Sequence, residues 1–130
     1  MTNQNTNPEN AAESTNLVDS GAVSAAISAA RDLSALSSVE ILSLHIVDLM
    51  TAAAVKLGEF EGTETDLAEA RILINALAGL IDASAPDLGS HHAAPMRDGL
   101  QTLQRSFRER SLIKDEPGMG PGEQYTGPVY

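Results

Sequence analysis

The sequence predicts an all-α fold: a small helical bundle made of a helical hairpin plus a third helix, with a weaker N-terminal helix and disordered tails. Three observations predict it. Apolar residues recur at helical spacing through three segments between residues 38 and 112. Hydrophobic residues are 42% of the 130, yet aromatics are 3% and Trp is absent. Such Ala-, Leu-, Ile- and Val-rich material packs helices better than it fills a β-sandwich. Ser, Asp and Pro stand where these segments begin, and Gly stands where the first one ends.

In chain order, residues 1–20 are rich in Asn, Thr, Ser and Glu and read as a disordered tail. Residues 21–37 turn Ala-rich, and Val23, Ala26, Ile27, Ala30 and Leu33 give a thin helical stripe, a weak helix or linker. Residues 38–112 form the helical core domain. Its first helix is predicted over 39–57, capped by Ser37 or Ser38, with Glu40 at the positive dipole end and Gly58 as the left-handed residue that stops it. One face carries Val39, Leu42, Ile46, Met50, Ala53 and Leu57. A second apolar stripe carries Leu44, Val47, Thr51 and Val55, which leaves little of this helix suited to water.

Residues 59–65 read as an acidic loop, and Asp66 with Glu69 as a capping box opening a second helix that runs to about residue 83. Leu67, Ala70, Leu73, Ile74, Leu77, Leu80 and Ile81 make its broad apolar face. Ala76, Gly79 and Ala83 form a small-residue strip, fitted to a close neighbour such as residues 52–54. Residues 85–94 read as a connector. Pro95 is placed as the first residue of a third helix reaching about residue 110, whose stripe is Met96, Leu100, Leu103 and Phe107. Residues 113–130 are a Pro/Gly-rich tail without helical or strand period.

Composition excludes several functions. A net charge of −10 does not suit the whole molecule to nucleic acid or an anionic membrane. With no Cys there is no disulfide, thiolate metal site or cysteine nucleophile. The first 16 residues lack the basic and apolar regions of a signal peptide, and residues 39–57, interrupted by Glu40, His45, Asp48 and Lys56, read as too polar for a membrane span. A cytoplasmic protein without membrane association is the expectation.

Four stretches in order, LMTAAAVKLG, ARILINALAGL, HAAPMRDGLQTLQRSFRE and GPGEQYTGPV, resemble an actinobacterial branch of a bacterial family catalogued as domain of unknown function number 1844. The resemblance covers roughly residues 38–129. It implies a small, cytoplasmic, helical protein in a gene context of translation initiation and ribosomal proteins, and brings no activity, cofactor or catalytic residue.

The residues themselves offer few chemical constellations. His91 and His92 are adjacent, which is poor geometry for one metal, and no H-E-x-x-H is present. His45 and Asp48 can pair along a helix, but no nucleophile accompanies them. PGMGPGEQ has no Lys of a phosphate loop, and the acids Glu59, Glu61, Glu64, Asp66 and Glu69 lack the alternation of an EF-hand. No catalytic residue, metal site or cofactor is expected.

Charge patterning says more. Arg97, Arg105, Arg108, Arg110 and Lys114 face only Asp98 and Glu109 between residues 95 and 114, a local +3 against −13 elsewhere. This face suits RNA, a ribosome or an acidic partner, or is neutralised within the chain by the 59–69 loop. The second reading is preferred, because no aromatics interleave the arginines. Tyr125 and Tyr130 are two of four aromatics, and either pack back on the helices or anchor a partner. The stripe Leu44, Val47, Thr51, Val55 exceeds what three helices can cover and predicts a homodimer interface, unless residues 21–36 fold over it. The function expected is a non-enzymatic interaction or adaptor protein with an unidentified protein partner. An RNA- or ribosome-binding accessory protein and a small metal-dependent enzyme are the alternatives. A secreted Trp-x-Gly helical hairpin would need the Trp this chain lacks.

Overall fold

A computed structural model describes the backbone of residues 8–130 and the side chains from Ser20 onward. The described residues form five helices and no strand: α1 Pro8–Ser34, α2 Ser38–Lys56, α3 Leu67–Leu88, α4 Ser90–Arg110 and α5 Glu123–Thr126. They fall into two compact units, and the division along the chain lies between Ser37 and Ser38.

The first unit holds α1, which is longer than the sequence predicts. Residues 8–20 were expected to be disordered and are helical; residues 1–7 lie outside the described residues. Pro8 suits a first helical position, Glu9 and Glu13 follow it, and Ala recurs. Low hydrophobicity argues against a packed core; the strong helix formers of this stretch are Glu9, Ala11, Ala12 and Glu13. The stripe residues Val23, Ile27 and Leu33 are exposed.

The second unit is built around α3, which packs on α2, α4 and α5. Helix α2 stops as its sequence demands. The Gly58 N–H donates to the Val55 carbonyl (3.0 Å) and the Glu59 N–H to the Ala54 carbonyl (3.1 Å), with Gly58 at φ +76°. This is a Schellman ending, and a Cβ at Gly58 would meet Thr65 Oγ1 at 2.5 Å. Asp66 caps α3 by accepting the Glu69 N–H at 3.2 Å. The predicted capping box is one-sided: the Asp66 N–H goes to the Lys56 carbonyl (2.7 Å), which ties the start of α3 to the end of α2.

The connector expected at residues 85–94 is absorbed into two helices joined by Gly89 alone. Its φ of 80° and ψ of 158° lie in a region essentially reserved for glycine. The Gly89 N–H closes α3 on the Ala85 carbonyl at 3.1 Å, and its own carbonyl opens α4 by accepting the Ala93 N–H at 2.9 Å. Pro86, expected in the connector, and Pro95, expected as the first helical residue, both lie inside helices on exposed faces, where the carbonyl left without a donor meets water.

The core follows the predicted faces. Ile46, Ala53 and Leu57, then Ala70, Ile74, Leu77 and Ile81, then Met96, Leu100, Leu103 and Phe107 are buried together. Each large side chain so buried contributes about 1.5–3 kcal/mol. The α2–α4 approach is close at Gly99, where a Cβ would lie 2.5 Å from Met50 Cε.

The largest departure is the C-terminal segment. The tail expected to be disordered over 113–130 lies against α3 and α4 as a strap, with Pro121, Gly122, Glu123 and Val129 buried. Arg71 on α3 grips Asp115 with two hydrogen bonds of 3.0 and 2.8 Å. Asn75 Oδ1 accepts the Gly122 N–H at 2.7 Å. Gln104 Nε2 donates to the Pro121 carbonyl and to Thr126 Oγ1, each at 3.0 Å. The Glu123 carboxylate folds back to accept the Gly118 N–H at 2.7 Å. The strap also fills the strip on α3: a Cβ at Gly79 would lie 3.1 Å from Tyr125 Cζ. That strip therefore receives Tyr125 at Gly79 rather than residues 52–54 of α2, while Ala76 and Ala83 are exposed.

Candidate functional site

Three surfaces of the second unit concentrate the features the sequence singles out. The first is the outer face of α2. Leu44 and Val47 are each 55% exposed, Thr51 is exposed and Val55 is half-buried. Thr51 spends its hydroxyl on the Val47 carbonyl of its own helix (3.0 Å), so it presents little unpaired polarity. His45 and Asp48 flank this stripe, both exposed, and do not pair. By length and composition α2 is apolar enough to cross a membrane, with a mean hydropathy of 1.5, contrary to the reading of this stretch as too polar. Glu40 and Lys56 sit near its ends, which leaves Asp48 as the one carboxylate or cation of the middle.

The second is the end of the bundle where α4 terminates. The basic residues of the +3 segment separate here by role. Lys114 Nζ caps α4, donating to the carbonyls of Arg108, Glu109 and Ser111. Arg108 donates to the Asp115 carbonyl at 3.2 Å. Arg110 Nε donates to Ser106 Oγ at 3.2 Å, and that hydroxyl donates to Glu59 at 2.6 Å. The acidic loop thus reaches the basic face through Ser106. Arg97 and Arg105 are exposed and form no ion pair among the described residues. The ion pair that organises this end belongs to Arg71, whose guanidinium also stacks over Phe107 at 4.8 Å. Nothing in the sequence marks Arg71, because a lone cation on a mostly apolar helix carries no local signal.

The third is a cleft of about 390 Å³ walled by α3, α4 and the strap. Its lining includes Asp82, Arg97, Asp98, Gln101 and Gln104, with Tyr125 and Thr126 from the strap. Of the residues predicted to bind a partner, Arg97 and Tyr125 therefore meet here. Tyr130 is exposed outside it, and Arg105 and Arg110 line a separate shallow pocket with Glu59. Nothing in the sequence joined residue 97 to residue 125, because the strap that brings them together has no periodicity to read.

His91 and His92 stand in the first turn of α4 rather than in a loop. Their rings contact edge-to-face at 5.4 Å. Among the described residues, no group of three or more His, Asp or Glu converges as a metal-ligand set.

Comparison with known proteins adds one match. Residues 38–109 fit the family described as Domain of unknown function (DUF1844), a span that starts with α2 and ends one residue short of the end of α4. No curated protein and no solved structure matches the chain.

Proposed function

The chain belongs to the DUF1844 family, and from that premise we propose that it is a non-enzymatic helical interaction protein that works as a homodimer paired through α2. The observation that carries this is the asymmetry of α2. Ile46, Ala53 and Leu57 are wholly buried in the bundle, while Leu44 and Val47 on another side are each 55% exposed. An apolar stripe along a helix already fixed by its own core suits a protein contact. A twofold pairing of the stripe with itself is the commonest way to cover such a surface. The competing occupant is α1 of the same chain. A cytoplasmic location without membrane association, membership of an actinobacterial branch and a place near translation belong to the same proposal and rest on the resemblance.

Light scattering on the full chain tests the pairing. The expected mass is twice the 13.6 kDa of one chain. Val47→Glu should leave helicity intact, since the position is half open, and should weaken the dimer by about a hundredfold, because a buried unpaired carboxylate costs several kcal/mol. A monomeric wild type would overturn the dimer and favour α1 as the cover.

RNA binding through α4 is a weaker reading: Arg108 and Lys114 are spent on backbone carbonyls, and Arg97 and Arg105 remain. A small metal-dependent enzyme is separated from both by metal analysis of the purified protein.

A further inference from the structure

We propose that the cleft between α3, α4 and the C-terminal strap binds a small compound with an apolar body and an ammonium group. The floor is apolar: Ala78, Ile81, Leu100 and Val129 line it, and none is more than 7% exposed. The rim carries Asp82, Asp98, Arg97 and Gln101, all exposed. Gln104 settles the polarity. It is 3% exposed and lines the cleft. Its Nε2 donates to the Pro121 carbonyl at 3.0 Å, and a carbonyl can only accept, so the orientation of the amide is fixed. Thr126 Oγ1 takes the second proton of that nitrogen. Oε1 is then left as an acceptor, and among the described residues no donor takes it.

No buried side-chain nitrogen or oxygen among the described residues lacks a partner, so this oxygen opens to solvent; with the two rim carboxylates it makes an acceptor-rich site, with Arg97 as its one cation. Such a site is completed by a ligand that brings N–H donors and positive charge. The chain's net charge of −10 further concentrates cations around it. A volume of about 390 Å³ takes a body the size of one aromatic ring with a short stem.

The test is an amide-resolved NMR titration of the full chain with 2-phenylethylammonium, beside phenylacetate and 2-phenylethanol. The ammonium compound should bind with a Kd of about 1–10 mM, typical of a fragment this small. Saturable shifts should be confined to residues 78–82, 97–104 and 125–129. Asp82→Asn and Asp98→Asn should each weaken binding about threefold and together about tenfold, because both carboxylates are partly screened by water. Glu64→Gln should change nothing. Butylammonium, which lacks the ring, should bind more weakly, and equal binding would overturn the apolar body of the ligand. The proposal is overturned if phenylacetate or the alcohol binds as well, if the shifts lie elsewhere, or if the double variant binds like the wild type.

Discussion

Two glycines of the strap allow its seat to be separated from its conformation. Gly118 and Gly122 both have positive φ, +84° and +76°. A Cβ at Gly118 meets nothing within 4 Å, whereas one at Gly122 would lie 2.8 Å from Ala78 Cβ and 3.0 Å from Gln104 Nε2. Gly118→Ala should therefore cost only the left-handed backbone penalty, about 1 kcal/mol. Gly122→Ala adds an overlap of most of an ångström with α3, since carbon atoms rest about 3.5–4 Å apart. Relief requires lifting the strap, which breaks the Gly122–Asn75 hydrogen bond (2.7 Å) and strains the two from Gln104. At about 1 kcal/mol for the left-handed backbone, about 1 for the broken bond and about 1 for the two strained ones together, the total approaches 3 kcal/mol. That loss is local, because α2, α3 and α4 keep their own core when the strap lets go. The assay is native-state hydrogen exchange at Tyr125, Thr126 and Gly127, whose N–H groups close α5 on Gly122 and Glu123. Gly122→Ala should speed exchange there about a hundredfold and Gly118→Ala about fivefold, with core amides of α3 little changed by either. Equal acceleration by the two variants would refute close approach at Gly122 as what seats the strap.

Two further perturbations test the frame that holds the strap. Gly89→Ala meets no neighbour within 4 Å, so its cost is backbone strain alone, about 2 kcal/mol, and Tm should fall by roughly 10 °C; an unchanged Tm would mean that the one-residue joint between α3 and α4 relaxes freely. Asp115→Asn removes the ion pair with Arg71, whose partners are 38% and 28% exposed, so the loss should be only about 0.5–1 kcal/mol by denaturant titration. It should shrink as salt is raised to about 1 M, where screening is strong, and a salt-independent loss would count against an ionic origin.

What was legible in the sequence is what is local. The Gly58 stop, the Asp66 cap and the apolar faces of α2, α3 and α4 each depend on residues within a few positions of one another. The misplaced boundaries at residues 85–94 came from placing Pro86 and Gly89 in a connector and Pro95 at a helix start, when exposed positions let water satisfy the carbonyls the two prolines leave unpaired. The strap was illegible for another reason. It is held by hydrogen bonds between residues 44 and 47 apart in the chain, Arg71 with Asp115 and Asn75 with Gly122, and no periodicity marks such pairs.

Two oddities did point to the strap, and each accounts for the other. Gly79 costs about 1 kcal/mol relative to Ala within a helix, and Tyr125 is a bulky ring in a segment otherwise fit for solvent. The ring occupies the space the missing side chain leaves. The cleft exists only because this pairing holds the strap in place, with Tyr125, Thr126, Pro128 and Val129 forming one of its walls. Helix α2 contributes no residue to that wall or to the others. The proposed pairing through Val47 and the proposed ligand site at Asp82 and Asp98 are therefore separable. A Val47→Glu chain should still bind 2-phenylethylammonium, and a chain carrying both Asp→Asn changes should keep the mass of the wild type.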